Sequence, residues 1–246
     1  MKLIKFATSA ALLLAAANAS TATASVIYSQ GTFDPAQWSF SQVTSTGSIT
    51  ATEALSLDNG NPGNNWLHTW SIPIGGGETR YRVSNINSTF TYDPLVNGAL
   101  SSLSFSYDVL GVVASNIASF GLYVPTLRQN SKTFFLKNAS AVPVSQWSSF
   151  GVTREGASDW VDPNNQASSL RPDFSALGNI MEFGYIMTVG SSCPAAACLA
   201  ASFSSRLDNF SVTATTVTTV PEPSTYALIA VGLGALVMLQ RRRRTA

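Results

Sequence analysis

His68 is the chain's one histidine and sits in Trp66-Leu67-His68-Thr69-Trp70, where alternation places it on one strand face with both tryptophans. Nucleophilic chemistry of the serine–histidine–aspartate kind would rest on that single imidazole, and no G-x-S-x-G turn seats a serine for it. The residue therefore reads as one that packs beside two rings. Glycoside cleavage needs two carboxyl groups about 5 to 10 Å apart, and Glu53, Glu78, Glu155, Glu182 and the aspartates single out no pair. Cys193 and Cys198 are the only cysteines. In an exported chain a pair this close reads as a disulfide closing a small loop, worth about 2 kcal/mol, and one histidine leaves a zinc centre without ligands. Trp38, Trp66, Trp70, Trp147 and Trp160 offer apolar faces on which a sugar ring can stack. Trp160, in Ser158-Asp159-Trp160-Val161-Asp162-Pro163, is expected in an exposed loop, and it joins Trp66 and Trp70 as the candidate carbohydrate-binding residues.

The elements that must position these side chains read as strands. Leu103, Phe105, Tyr107 and Val109 alternate with Ser102, Ser104, Ser106 and Asp108, and Met181, Phe183, Tyr185, Met187 and Val189 with Glu182, Gly184 and Thr188. Phe210, Val212 and Ala214 repeat the pattern, and Phe134 to Leu136 form a short apolar centre. Turn signals separate them: Asp58 to Gly63, Gly75 to Gly77, Asp93-Pro94, Gln129 to Ser131 and Asp162 to Asn165. Roughly nine or ten short strands without an internal repeat predict an all-β fold, an antiparallel two-sheet sandwich.

Both ends carry addressing features. Lys2 and Lys5 precede the apolar Phe6 to Ala17, followed by small-residue sites at Ala17-Asn18-Ala19 and Ala22-Thr23-Ala24, which is the pattern of a secretory signal peptide. Cleavage is expected after Ala24, with Ala19 the alternative, which implies the Sec translocon and signal peptidase as partners. At the other end Ser224 to Gln240 carries no charge, and seventeen helical residues span roughly 25 Å, enough for a short transmembrane helix. Arg241 to Arg244 then stay cytoplasmic by the positive-inside bias, so everything before Pro221 lies outside. Pro221 and Pro223 bracket Glu222 and keep the approach extended. The expected division is signal peptide 1–24, sandwich 25–215, linker 216–223, membrane helix 224–240 and basic tail 241–246. Between Ser25 and Val220 stand eight basic against twelve acidic residues, a formal charge of −4, which leaves no basic footprint for nucleic acid.

The ordered triplet of Pro221-Glu222-Pro223, apolar helix and Arg241, Arg242, Arg243 and Arg244 resembles the PEP-CTERM sorting signal of Gram-negative bacteria. The resemblance implies recognition and processing by exosortase, transient residence in the inner membrane, and delivery to the outer envelope or extracellular matrix. Within the sandwich, Asp34-Pro35-Ala36-Gln37-Trp38, the Asp58 to Gly63 turn before Trp66, and Arg206-Leu207-Asp208-Asn209-Phe210-Ser211-Val212 resemble jelly-roll domains of the carbohydrate-binding-module and galactose-binding-like type. That resemblance implies a structural calcium ion with Asp208 as a ligand and Asp34 or Asp58 approaching it, and hard oxygen donors suit calcium. The expected protein is a non-enzymatic envelope or biofilm-matrix component that binds exopolysaccharide. The alternatives are a secreted glycosidase or lyase, distinguished by carboxylates converging in a cleft, and an inert matrix filler with neither cleft nor exposed aromatic strip.

Overall fold

The computed structural model describes residues 20–47, 49–73, 79–114, 119–191 and 200–220, with Ile229, Gly232 and Leu233. Contacts divide the chain into a unit spanning Thr23–Val217 and a second made of Met1–Ala22 and Thr218–Ala246. Cys193, Cys198, Pro221, Glu222, Pro223 and Arg241 to Arg244 lie outside the described residues, as do the apolar N-terminal segment and most of the apolar tail. No described helix is long and apolar enough to cross a membrane.

Among the described residues, twelve strands form two sheets. The first runs in the order β3 (Thr50–Ser56), β4 (Asn65–Ile72), β12 (Ala201–Val220), β6 (Leu100–Ala114) and β9 (Ser148–Glu155), with β1 (Ser20–Gln30) also paired to β12. The second runs β10 (Trp160–Val161), β8 (Lys132–Leu136), β7 (Ser119–Gln129), β11 (Met181–Ser191), β5 (Thr79–Tyr92) and β2 (Trp38–Thr46). Apart from the β1–β12 pairing, the ladders of both sheets are antiparallel, and the chain passes repeatedly from one sheet to the other.

The expected alternations set the core. Leu103, Phe105, Tyr107 and Val109 of β6, Phe183, Tyr185, Met187 and Val189 of β11, and Phe210, Val212 and Ala214 of β12 are all buried and interlock between the sheets. Several turns follow the chemistry of their residues. Asp93 accepts the Leu95 N–H at 2.9 Å and caps the one-turn helix α1 (Pro94–Asn97). Asn130 and Ser131, with φ of 53° and 60°, close the β7–β8 hairpin. Asp162 accepts the Asn164 N–H at 2.8 Å in an Asx turn.

Gly184 shows why one central position is glycine. A Cβ there would stand 1.8 Å from the Asn85 carbonyl oxygen of the neighbouring strand, beside the register shift between Glu182 and Gly184. Gly184→Ala must push β11 away from β5, and we expect it to destabilise the sandwich by about 2 kcal/mol, read as a lower urea midpoint. An unchanged midpoint would refute the close approach.

Candidate functional site

The inward rows consume the tryptophans. Trp160 is 0% exposed: β10 pairs Trp160 with Leu136 and turns the indole onto Phe105 and Phe174, at ring distances of 5.8 and 6.4 Å. Trp66 and Trp70 are 2% and 1% exposed, the first stacked on Phe40 and the second on His68 and Phe203. None of the three presents a face to a sugar, which corrects the stacking role expected of them. The acidic flanks Asp159 and Asp162 suggested a loop, but strand pairing decides where the ring points. Trp38 is buried as well, and Trp147 is half-buried.

His68 packs as expected. It is fully buried, its Nε2 stands 3.0 Å from the Tyr185 hydroxyl, and its Nδ1 lies 3.4 Å from Glu53. Tyr123 and Ser205 hydroxyls bond beside it, and burial raises the Tyr185 phenol well above its ordinary pKa, with the Glu53 charge adding to the shift. This row of carboxylate, imidazole and phenol serves the core, because water cannot reach the imidazole.

The proposed calcium ligands do not converge. Asp34 caps the short 3-10 helix Pro35–Gln37 by accepting the Ala36 N–H. The Asp58 carbonyl accepts the Arg206 guanidinium at 2.9 Å and the Asn65 side-chain amide at 2.7 Å, so a cation already stands there. Among the described residues no three of His, Cys, Asp and Glu gather as a metal cluster. Asp208, fully buried, faces Asp108 instead, its direct cross-strand partner. Asn61 and Asn209 bridge the two: their backbone N–H groups donate to Asp208, and their side-chain amides donate to Asp108 at 3.2 and 2.7 Å. The Asn59–Gly63 turn that delivers Asn61 is closed by a Gly60 N–H to Gly63 carbonyl bond of 3.0 Å. Asp108 was visible in sequence only as part of the wet face of its strand.

Among the described residues, two cavities lie elsewhere, on the outer face of the second sheet. Successive rows across this face are Arg82–Thr188–Leu122, then Ser41–Ser84–Ile186–Val124, then Ser39–Ile86–Gly184–Thr126–Phe135, and then Glu182–Arg128–Thr133. One cavity of about 230 Å³ holds Arg80, Arg82, Leu122, Val124, Phe135 and Ile186, walled by Asn138 to Ser140, Pro163 and Gln166. A second, of about 310 Å³, holds Ser39, Ser41, Ser84, Arg128, Thr133 and Glu182. Ser84 and Ile186 are register partners, so the two lobes adjoin as one groove.

Chemistry differs between the lobes. The first joins an aromatic edge and aliphatic floor to two guanidinium groups, while the second is a field of hydroxyls crossed by an Arg128–Glu182 ion pair at 2.6 Å. The bond from Glu182 holds the Arg128 pKa above its usual value. Ser84 is 2% exposed on the groove floor and its Oγ has no partner among the described residues. Such a surface offers hydroxyl-bonding groups and apolar contact, and it carries one carboxylate. The outward row Glu182, Gly184 and Thr188 was legible as a polar face; that β5, β7 and β8 line up beside it was not.

No curated protein matches the chain. Among solved structures it is similar to a family 11 carbohydrate-binding module from Clostridium thermocellum, solved with a β-1,3-1,4-mixed-linked tetrasaccharide. That match has 12% identity and a TM-score of 0.42, over 76% of this chain and 94% of the module. A second similarity is to the CBM22-1 xylan-binding domain from Paenibacillus barcinonensis, at 12% identity and a TM-score of 0.35, over 78% of this chain and 94% of that domain. Residues 219–244 match the PEP-CTERM protein-sorting motif model. The chain therefore carries a PEP-CTERM sorting motif at its C-terminus.

Proposed function

We propose that this is an exported, exosortase-sorted matrix protein whose sandwich binds polysaccharide in the outer-face groove and has no catalytic role. The observation that carries the reading is the groove itself, a row of serine and threonine hydroxyls continuous with an apolar lobe. Sugars present the same mixture of hydroxyls and C–H faces, and binding sites are concave surfaces of this kind. Among the described residues Glu182 is the one carboxylate lining the groove, and Arg128 holds it, which supports a binder over a glycosidase or lyase working through a carboxylate pair. The groove favours a binder over an inert filler.

Delivery follows from the ends. The signal peptide engages the Sec translocon and is removed by signal peptidase; cleavage after Ala19 keeps β1 whole, and cleavage after Ala24 leaves Ser25–Gln30 of it. The apolar tail holds the protein in the inner membrane until exosortase processes it, and the product joins the outer envelope or biofilm matrix.

Calcium enters this proposal as a structural ion at a narrower site than the aspartates suggested. Asp108 and Asp208 supply carboxylate oxygens, the hard donors that calcium takes. Its charge would relieve two carboxylates facing each other across a ladder, where like charges destabilise.

Three outcomes test these statements. Phe135→Ala should weaken retention of the protein on polysaccharide gels several-fold while leaving the melting temperature within a few degrees, and unchanged retention would remove the groove from binding. Pro221-Glu222-Pro223 changed to three alanines should leave the tail attached in a host with exosortase; normal trimming would count against the sorting role. Burial, with the Asp108 charge adding to it and the Asn61 and Asn209 N–H bonds opposing it, raises the Asp208 pKa above 3.8. Since the native state then holds that proton more tightly than the unfolded chain, stability falls as pH rises from 3.8 through the raised value. Millimolar calcium should therefore raise the melting temperature near neutral pH and do little near pH 4, and Asp208→Asn should lose the response. An equal response in the variant would place the ion elsewhere.

A further inference from the structure

The apolar lobe of the groove contains two positive charges whose pairing the fold leaves open. Arg80 and Arg82 stand two residues apart on β5, which puts both on the outer face, roughly 7 Å apart along the strand. The contacts between basic side chains and carboxylates among the described residues are Arg128–Glu182, Arg154–Asp159 and His68–Glu53, and neither Arg80 nor Arg82 belongs to one. Among the described residues no carboxylate lines their lobe; Glu78, nearby in sequence, lies outside the described residues. Arg82 gives one N–H to the Pro163 carbonyl at 2.7 Å, and its guanidinium carbon stands 6.0 Å from the centre of the Phe135 ring. Those two contacts fix the plane of the guanidinium and leave most of its five donors uncommitted.

Two like charges held together cost energy unless an anion joins them. Burial, and then the Arg80 charge, lower the Arg82 pKa below its ordinary value, the signature of a guanidinium partly stripped of water beside a like charge. The sandwich as a whole is acidic, at −4 between Ser25 and Val220, so a basic spot inside its groove opposes the net charge of the domain. Beside it, the unpartnered Ser84 hydroxyl adds a neutral polar group on the floor where the lobes meet.

We propose that the groove takes an acidic polysaccharide, with a uronic-acid carboxylate held between Arg80 and Arg82 and the neighbouring sugars laid along Phe135, Val124 and the accessible Ser39 and Ser41 hydroxyls. This rests on the groove's being the polysaccharide site, and it names the class of polymer. Guanidinium groups match carboxylates in planar, two-point contacts, and the hydroxyl lobe accommodates the uncharged ring atoms.

The test uses the full-length chain in detergent micelles, with alginate, an uncharged mixed-linkage glucan and dextran sulfate as probes in affinity electrophoresis. Alginate is expected to bind most tightly and to weaken as salt rises, and Arg80→Gln, an exposed substitution, should reduce its affinity about tenfold. Arg82→Lys keeps the charge but loses the fork and should fall nearly as far. Tighter binding of the neutral glucan, unaffected by Arg80→Gln yet weakened by Phe135→Ala, would overturn the acidic assignment and leave the groove as a polysaccharide site. Preference for dextran sulfate would replace the carboxylate by a sulfate ester and overturn it too. Binding of none of the three would defeat both readings.

Discussion

Two sheets exclude water only when the side chains of one fill the gaps of the other, and here that demand falls on aromatic rings. Phe210 is the meeting point: its ring lies 5.5 Å from Trp38, 5.8 Å from Tyr107 and Tyr185, 6.1 Å from Phe90 and 6.3 Å from Phe105. Each such pair adds about 0.5 to 1.5 kcal/mol beyond the area it buries. Four of the five tryptophans are drawn into the same layer. With most of the large rings spent inside, the proposed binding groove is left to what faces outward on the second sheet: serines, threonines, arginines and the ring of Phe135.

Strand β12 connects this packing to the rest. It lies between β4 and β6 and takes β1 as a further partner. Between Asp208 and Ser211 its register shifts, with Asn209 at a φ of 51°, so that Asp208 turns out toward Asp108 while Phe210 returns to the core. One irregularity thus supplies both the central ring and the paired carboxylates that hold the Asn59–Gly63 turn. The matched sorting motif begins at residue 219, inside this strand, which ends at Val220.

The groove and the carboxylate pair have a common origin in register. Ser84, Ile186 and Val124 become neighbours because β5 and β7 flank β11 in one alignment, and Asp108 meets Asp208 for the same reason on the other sheet. A slip of one residue would exchange the faces and send Tyr185 and Met187 to solvent. The core therefore enforces the geometry of the outer surface: the burial of one row dictates which side chains stand beside each other on the row behind it.

Sequence alone determined what is local. Period-two rows such as Leu103 to Val109 and Met181 to Val189 determine strand and inward face, because alternating side chains leave no other way to hide apolar area. Asp93-Pro94 and Asp162-Pro163 determine turns through side chains that bond their own backbone. Pro221 to Arg244 determines a sorting motif, because composition along an unbranched segment needs no partner to be read. Tertiary structure decided what depends on distant residues. Trp160 looked exposed between two carboxylates and is buried because β8 captures it; Asp34 and Asp58 looked like ligands and instead cap a helix and receive Arg206, while Asp108 takes the place beside Asp208. Arg80, Arg82 and Ser84 on β5 and Phe135 on β8 belong to strands far apart in the chain, and only sheet order brings them together, since pairing partners are chosen by the packing of the whole core.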